Sequence, residues 1–298
     1  MSETKGMEQR GESTTYPEDE AGTFPTLDGV LLYERWWRPE REPKAGIVLV
    51  HGLAEHSARY QLTARHLTQN GYAVDTFDLR GHGKSSGSPL FVGNFAEYMT
   101  DLDLFLDRVR ARLPGRPLFL MGHSMGGVIV TFYALDRQPR IRGVVLSAPA
   151  VKLCSEVSLP LLKGAALIAR FLPRLKTVKI NQNYISRDPA VVEAYNSDPL
   201  IYRQAVLMRT GSELVRAGRY VRERMDAFTL PILVLQGTGD KITEPEGGRR
   251  LYENAASTDR TLKLYEGLYH EILNEPERER VLQDIVDWLD AHVRNDDR

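Results

Sequence analysis

Three side chains far apart in the chain have the right types for nucleophilic catalysis. Ser124 stands in "GHSMGG" between Gly122 and Gly126, after one apolar run and before another. The spacing is the G-x-S-x-G of a strand–turn–helix elbow. A serine forced onto a tight, strained turn needs neighbours without side chains two residues before and after it. Its hydroxyl then stands above the sheet edge, and the following helix turns its positive end toward any oxyanion formed there. Alone the pattern is weak, because a Gly-rich packing turn has the same composition. A serine nucleophile also needs a base, and the base needs an orienting carboxylate. Asp240 in "LQGTGDKIT" and His270 in "LYEGLYHEIL" each follow an apolar run, in the order Ser, Asp, His that a parallel α/β scaffold uses. Three placements agree, and the expected constellation is Ser124 as nucleophile, His270 as base and Asp240 as its partner.

The remaining parts of an acyl-transfer site have candidates too. In "VLVHGLAEHSARY", His51-Gly52 ends an apolar run, which puts the N–H of Leu53 in place to bind an oxyanion. The N–H of Met125, directly after the serine, is the second donor. Among the other histidines, His123 is expected to be packed or hydrogen-bonded in the core, pointing away from the reacting side. His292 is expected to be solvated at a polar helix end, His66 to lie on the surface or in a groove, and His82 to tie down the loop "DLRGHGKSSG". With no His-x-x-x-His spacing and no cysteine cluster, neither a metal nor a cofactor is expected.

The elements that must carry these residues alternate. Apolar runs at 46–52, 72–83, 117–124, 143–150, 230–240 and 262–267, bounded by Gly and Pro, read as strands buried on both faces. Stretches 95–113, 125–137 and 278–293 have apolar residues at helical spacing. The pattern is an α/β fold, a mostly parallel sheet flanked by helices. "TFPTLDGVLLYERWW" reads as a hairpin with a tight primed turn at Asp28-Gly29. Between 151 and 228 the alternation stops, and prolines punctuate a segment rich in helix formers. It reads as a helical cap inserted between two core strands. There "NSDPL" (196–200) looks like a helix start, with Ser197 or Asp198 capping and Pro199 at the first turn. The expected organisation is a mobile tail over 1–22, core over 23–150, cap over 151–228 and core again over 229–298.

Composition sets wide bounds. The chain has 298 residues, 42% hydrophobic and 27% charged, with a formal net charge of -1, so no bulk field argues for nucleic acid. The single cysteine, Cys154, excludes an intramolecular disulfide and fits a reducing compartment. The polar N-terminus has no apolar core of a signal peptide, and no run is long enough to span a bilayer. A cytoplasmic protein is expected, with peripheral membrane association through the cap as one option. In "SLPLLKGAALIARFLPRL" (158–175), Lys163 and Arg170 share one narrow helical face. The apolar remainder either docks on a membrane or micelle, or packs over the active site, and the two are compatible. The arginines of "VRAGRYVRERM" read as a solvated face. Oligomeric state is not legible.

"HGLAEHSARY", "FDLRGHGKSSG", "GHSMGG", "YNSDPLIYR", "LPILVLQGTGD", "TLKLYEGLYHEILNE" and "DIVDWL" together span nearly all of the chain beyond the tail. On these segments it resembles α/β-hydrolases of the monoacylglycerol lipase and lysophospholipase group. "GHSMGG" is common to many hydrolases; "AEHSARY" and "YNSDPL" are more particular. The resemblance implies the same triad and oxyanion donors. It also implies a polar pocket end for a glycerol moiety near Glu55, Arg59 and Tyr195, and an acyl tunnel along Ile180 and Val206. The expected substrate is a small amphiphilic ester, a monoacylglycerol. Leu53 departs from members with a small residue there, and the cap lacks cysteines that some members carry. Rivals are a broad carboxylesterase, a lysophospholipase or an acyltransferase on the same triad. A peptidase would need an acidic cap residue such as Glu156 or Glu193. Dehalogenases and epoxide hydrolases place Asp where Ser124 stands. A non-catalytic lipid-binding protein is disfavoured by the intact set of three.

Overall fold

The computed structural model describes residues 20–153 and 168–293. Strands β1 (Glu20–Pro25), β2 (Leu31–Trp37), β3 (Ala45–Val50), β4 (Tyr72–Phe77), β5 (Leu118–His123), β6 (Gly143–Ser147), β7 (Ile232–Gly237) and β8 (Arg260–Tyr265) form one sheet. Their order is β1-β2-β4-β3-β5-β6-β7-β8. β1 and β2 join antiparallel, and every pairing from β4 to β8 is parallel. Four of the six expected runs contain their strand; β3 begins one residue before its run, at Ala45, and β8 two residues before its run, at Arg260.

Helices α1 (Gln61–Gln69), α2 (Ala96–Arg112), α3 (Met125–Arg137), α4 (Pro189–Ser197), α5 (Met208–Arg222), α6 (Pro245–Asn254) and α7 (Arg278–Val293) complete the frame. Strand side chains alternate between two apolar layers. Val48 and Val50 pack with α2, α3 and Leu214 and Val221 of α5. Ile47 and Leu49 pack on the opposite face with Leu67 of α1 and Ile285 and Leu289 of α7. β3, β5, β6 and β7 are buried throughout, which is why their sequences run apolar without alternation. Among the described residues no helix is long and apolar enough to cross a membrane.

The chain between β6 and β7 carries α4 and α5, the insertion expected from the loss of alternation. It also holds a short antiparallel contact that was not expected. Val206 N–H donates to Val178 O at 2.8 Å, and Thr177 N–H donates to Val206 O at 2.8 Å. The insertion is fastened to the core at several points. His56 Nε2 meets Asp198 Oδ2 at 2.9 Å, and Tyr202 N–H donates to Ala54 O at 3.0 Å. Phe95 N–H donates to Glu213 of α5 at 2.9 Å.

Four local expectations change. Glu20 to Gly22 belong to β1, paired with Trp36 to Glu34, so the N-terminal segment joins the sheet earlier than residue 23. The hairpin closes through a three-residue loop. Thr26 N–H donates to Val30 O at 2.8 Å, Gly29 N–H donates to Thr26 O at 3.1 Å, and Gly29 takes φ 82; this is a type I turn with a left-handed glycine bulge. "NSDPL" ends a helix. Asp198 is extended at ψ 119, because the ring of Pro199 disfavours α backbone before it. The start signal belongs to the other Asp-Pro pair, where Asp188 accepts Ala190 N–H at 2.9 Å and Pro189 opens α4. His292 is not solvated: its ring stacks 3.8 Å from that of Trp288 and its Nε2 meets Asp259 Oδ2 at 2.9 Å. Residues 1–19, Cys154, Glu156 and Lys163 lie outside the described residues.

The turn after β5 depends on close backbone approach. A Cβ on Gly126 would lie 2.1 Å from Val50 O, and one on Gly122 2.4 Å from Gly126 O. Both obstacles are backbone, so no side-chain rotation relieves them. Gly126→Ala should therefore cost about 1–3 kcal/mol or more by forced overpacking. Thermal denaturation should show a fall in Tm despite the better helix propensity of alanine; an unchanged Tm would contradict the packing described.

Candidate active site

β5 ends at His123 and α3 begins at Met125, so Ser124 makes the turn alone. Its backbone sits at φ 52, ψ −118, a left-handed value that strains a residue with a Cβ by about 1–3 kcal/mol. The surroundings hold it there. Ser124 N–H donates to Ser147 O at 3.0 Å, and Ser124 O accepts Ala150 N–H at 3.0 Å. The N–H of Met125 stands at the first position of α3, where no intrahelical acceptor exists.

Asp240 follows β7 and His270 follows β8, so both arrive beyond the C-terminal ends of parallel strands. His270 Nδ1–H donates to Asp240 Oδ2 at 2.8 Å. Asp240 is further fixed by Thr243 Oγ1 at 2.6 Å, Gln236 Nε2 at 3.0 Å and the N–H groups of Ile242 and Thr243 at 2.8 and 3.0 Å. Burial raises the pKa of this carboxyl, but the facing imidazole and the donors from Thr243 outweigh it and bring it to about 2. Burial pulls His270 downward, yet the charge and hydrogen bond of Asp240, with Glu271 and Glu55 behind them, raise it above the ordinary value.

Ser124, His270, Gly52, Leu53, Glu55, His123, Tyr195 and Glu271 line one cavity with Ile180, Ile185 and Ile242; it is open to solvent and holds about 320 Å³ of empty space, its mouth included. A Cβ on Gly52 would lie 2.8 Å from Glu55 Oε1 and 3.2 Å from Ser124 Cβ, so Glu55 and the serine flank one glycine. That glycine is held on both sides. Gly52 N–H donates to Glu55 Oε1 at 2.6 Å, and His51 Nδ1–H donates to Gly52 O at 2.7 Å. The Gly52 carbonyl and the Leu53 N–H share one planar peptide, so His51 fixes the direction of that N–H. His51 is itself set by accepting Leu79 N–H at 2.9 Å, and burial lowers its pKa, keeping the ring neutral.

The polar wall is an ion cluster. Arg59 donates to Glu55 Oε2 at 2.7 Å and to both oxygens of Glu271 at 2.7 Å. Its guanidinium lies 4.8 Å over the ring of Tyr195. Tyr60 OH donates to Glu55 Oε1 at 2.7 Å. Burial raises both carboxyls, but Arg59 outweighs it and holds both below the ordinary carboxylate range.

Most residues singled out in the sequence meet here. Ser124, Leu53, Glu55, Tyr195, Ile180 and His270 line the cavity; Asp240 and Arg59 support it from behind. Val206 is not among its lining residues; its backbone pairs with Thr177 and Val178 within the insertion. His123 is buried and its Nδ1 meets Ser147 Oγ at 3.1 Å, as expected of a core residue. Its ring, however, lies 4.8 Å from that of His270 and faces the cavity. Burial and the neighbouring His270 lower its pKa to about 4. Glu271, Gln236 and Thr243 were not singled out. Glu271 is adjacent to His270 and Thr243 lies three residues after Asp240, and that adjacency was the available signal.

These shifts have a direct readout. In an imidazole NMR titration, His270 should titrate above 6.5, while His123 should remain neutral down to about pH 4. Asp240→Asn removes the charge that favours the imidazolium, so the His270 midpoint should fall. A midpoint indifferent to this change would contradict the coupling.

The family model Hydrolase_4, described as serine aminopeptidase S33, matches residues 41–277. The chain is 34% identical to a monoacylglycerol lipase of Mycolicibacterium smegmatis over 271 residues, covering 91% of this chain and 97% of the relative. It is 38% identical to a monoglyceride lipase of Homo sapiens over 266 residues, covering 88% of each. The crystal structure of a monoacylglycerol lipase of Paleococcus ferrophilus superposes with a TM-score of 0.79 at 33% identity, covering 88% of this chain and 99% of that one.

Proposed function

The chain belongs to the Hydrolase_4 family, among the α/β-hydrolases that resemble monoacylglycerol lipases, and is an ester hydrolase; we propose that it cleaves monoacylglycerols to glycerol and fatty acid through Ser124, His270 and Asp240. The observation that carries the mechanism is the 2.8 Å bond from His270 Nδ1 to Asp240. With Nδ1 protonated and engaged, Nε2 is the nitrogen free to take the hydroxyl proton of Ser124. Ser124 Oγ attacks the ester carbonyl, and the oxyanion rests on the N–H groups of Leu53 and Met125. The glycerol oxygen leaves with the proton held by His270. Water, deprotonated by the same nitrogen, then releases the acyl group as fatty acid.

The cavity supports this substrate class. Leu53, Ile180, Ile185 and Ile242 offer an apolar side suited to an acyl chain, and Glu55, Glu271 and Tyr195 a polar side suited to hydroxyls. Outside it, Phe171, Leu172, Leu175 and Val178 of the insertion are 72%, 57%, 46% and 64% exposed. This apolar surface supports docking on a membrane or micelle, the phase in which long-chain monoacylglycerols are held. For the aminopeptidase chemistry in the family description, the substrate ammonium needs a free acidic group. Glu193 is exposed on α4, and the relatives at 34% and 38% identity are a monoacylglycerol lipase and a monoglyceride lipase, so the ester reading is favoured.

Three measurements test it. Ser124→Ala should abolish turnover of 1-monoacylglycerols, and Asp240→Asn should lower kcat about 10⁴-fold with KM little changed. Monoacylglycerols should be turned over faster than triacylglycerols of the same chain and faster than aminoacyl p-nitroanilides. Equal or better turnover of triacylglycerols would refute the substrate class; full activity of the serine variant would refute the mechanism.

A further inference from the structure

Glu271 is adjacent to the residue proposed as base, is only 5% exposed and lines the cavity, and among the described residues Arg59 is the one cation bonded to it. It shares Arg59 with Glu55. One guanidinium therefore serves two ionised carboxylates, and the polar wall carries a surplus negative charge in a buried setting where screening is weak. Arg59 is spent on them: Nη1 bonds Glu55 Oε2 and Glu271 Oε1, and Nη2 bonds Glu271 Oε2. The remaining donors there point the same way. Gly52 N–H and Tyr60 OH occupy Glu55 Oε1, and Asn274 Nδ2 occupies Glu271 Oε2 at 2.9 Å. Each carboxylate oxygen accepts about two hydrogen bonds. Among the described residues no other donor reaches Glu55 Oε2 or Glu271 Oε1, so each retains one acceptor position, both bonded to the same Arg59 nitrogen.

We propose that Glu271 determines specificity for the alcohol half of the ester, giving the subsite two adjacent carboxylate acceptors and a net negative charge that together select uncharged polyol esters and reject esters whose alcohol carries an anion. The two acceptors match two free hydroxyls of a glyceryl group. A phosphate on the same glycerol is mostly dianionic at neutral pH, so it offers few protons to them and meets like charge. This inference rests on the monoacylglycerol reading and sharpens it against the lysophospholipid alternative.

The test compares kcat/KM on 1-decanoylglycerol and on 1-decanoylglycerol 3-phosphate, which differ by the phosphate alone, below their micellar concentrations. Three full-length proteins are used: wild type, Glu271→Gln and Glu271→Asp. Both variants disturb the fork on Arg59, but only the glutamine removes the charge. The wild type should prefer the neutral ester. The preference should shrink about 10- to 100-fold in Glu271→Gln, the size of one like-charge contact over about 6–10 Å at an effective dielectric near 20. It should persist in Glu271→Asp even where overall activity falls. The acid limb of the pH profile gives a second readout. Glu271 favours the protonated form of His270, so the limb should move to lower pH in the glutamine variant only. A ratio that is unchanged in Glu271→Gln, or that collapses equally in both variants, overturns the proposal while leaving monoacylglycerol hydrolysis intact. A wild type inactive on 1-decanoylglycerol overturns the substrate reading and this inference with it.

Discussion

Everything proposed for this chain depends on one strained residue. Ser124 holds a left-handed backbone, φ 52, that a residue with a side chain avoids. The strain persists because the sheet over-determines it. β5 enters the turn paired to β3 and β6, the serine N–H is tied to the last residue of β6 and its C=O to Ala150 just beyond, and Gly126 lets the turn press against β3, and Gly122 against Gly126, within distances no Cβ tolerates. A parallel sheet buried on both faces is what makes such fixing possible, since its central strands have no freedom to give way. The same geometry starts α3 directly after the serine, so the positive end of the helix lies at Ser124.

Charge around the serine is organised in two tiers. Asp240 and His270 form a well-donated pair in which every acceptor position facing the ring is used. Behind them, Arg59 binds Glu55 and Glu271 and stacks on Tyr195 of the insertion. Buried ion clusters add little net stability, because desolvation offsets the attraction. Their effect is placement. Glu55 fixes Gly52, whose carbonyl is fixed in turn by His51, so the loop after β3, the polar wall and the insertion are set by connected hydrogen bonds.

How much of this the sequence reveals follows from how local each signal is. The buried strands, the elbow glycines and the residues just past β7 and β8 are legible because burial and turn geometry act within a few residues. The triad candidates follow from topology, which fixes the sheet end where those loops emerge. What fails is decided by contacts distant in the chain. Asp198 resembles a helix cap by composition, yet it closes onto His56, 142 residues away. His292 looks solvated on its own helix, but Trp288 and Asp259 enclose it. Val206 has the apolar character of a tunnel residue, yet it is not among the residues lining the cavity. Glu271 shows in the sequence only as the neighbour of His270, because its meaning lies in Arg59, which the fold alone brings across.

The central claim is that Ser124 becomes acylated. Incubation with a fluorophosphonate, followed by intact-mass and peptide mass spectrometry, reads this directly. The account predicts one adduct per chain, on the peptide containing Ser124, formed far more slowly when His270 is replaced by alanine. An unlabelled wild type, under conditions that label a known serine hydrolase, or an adduct on another residue would contradict it.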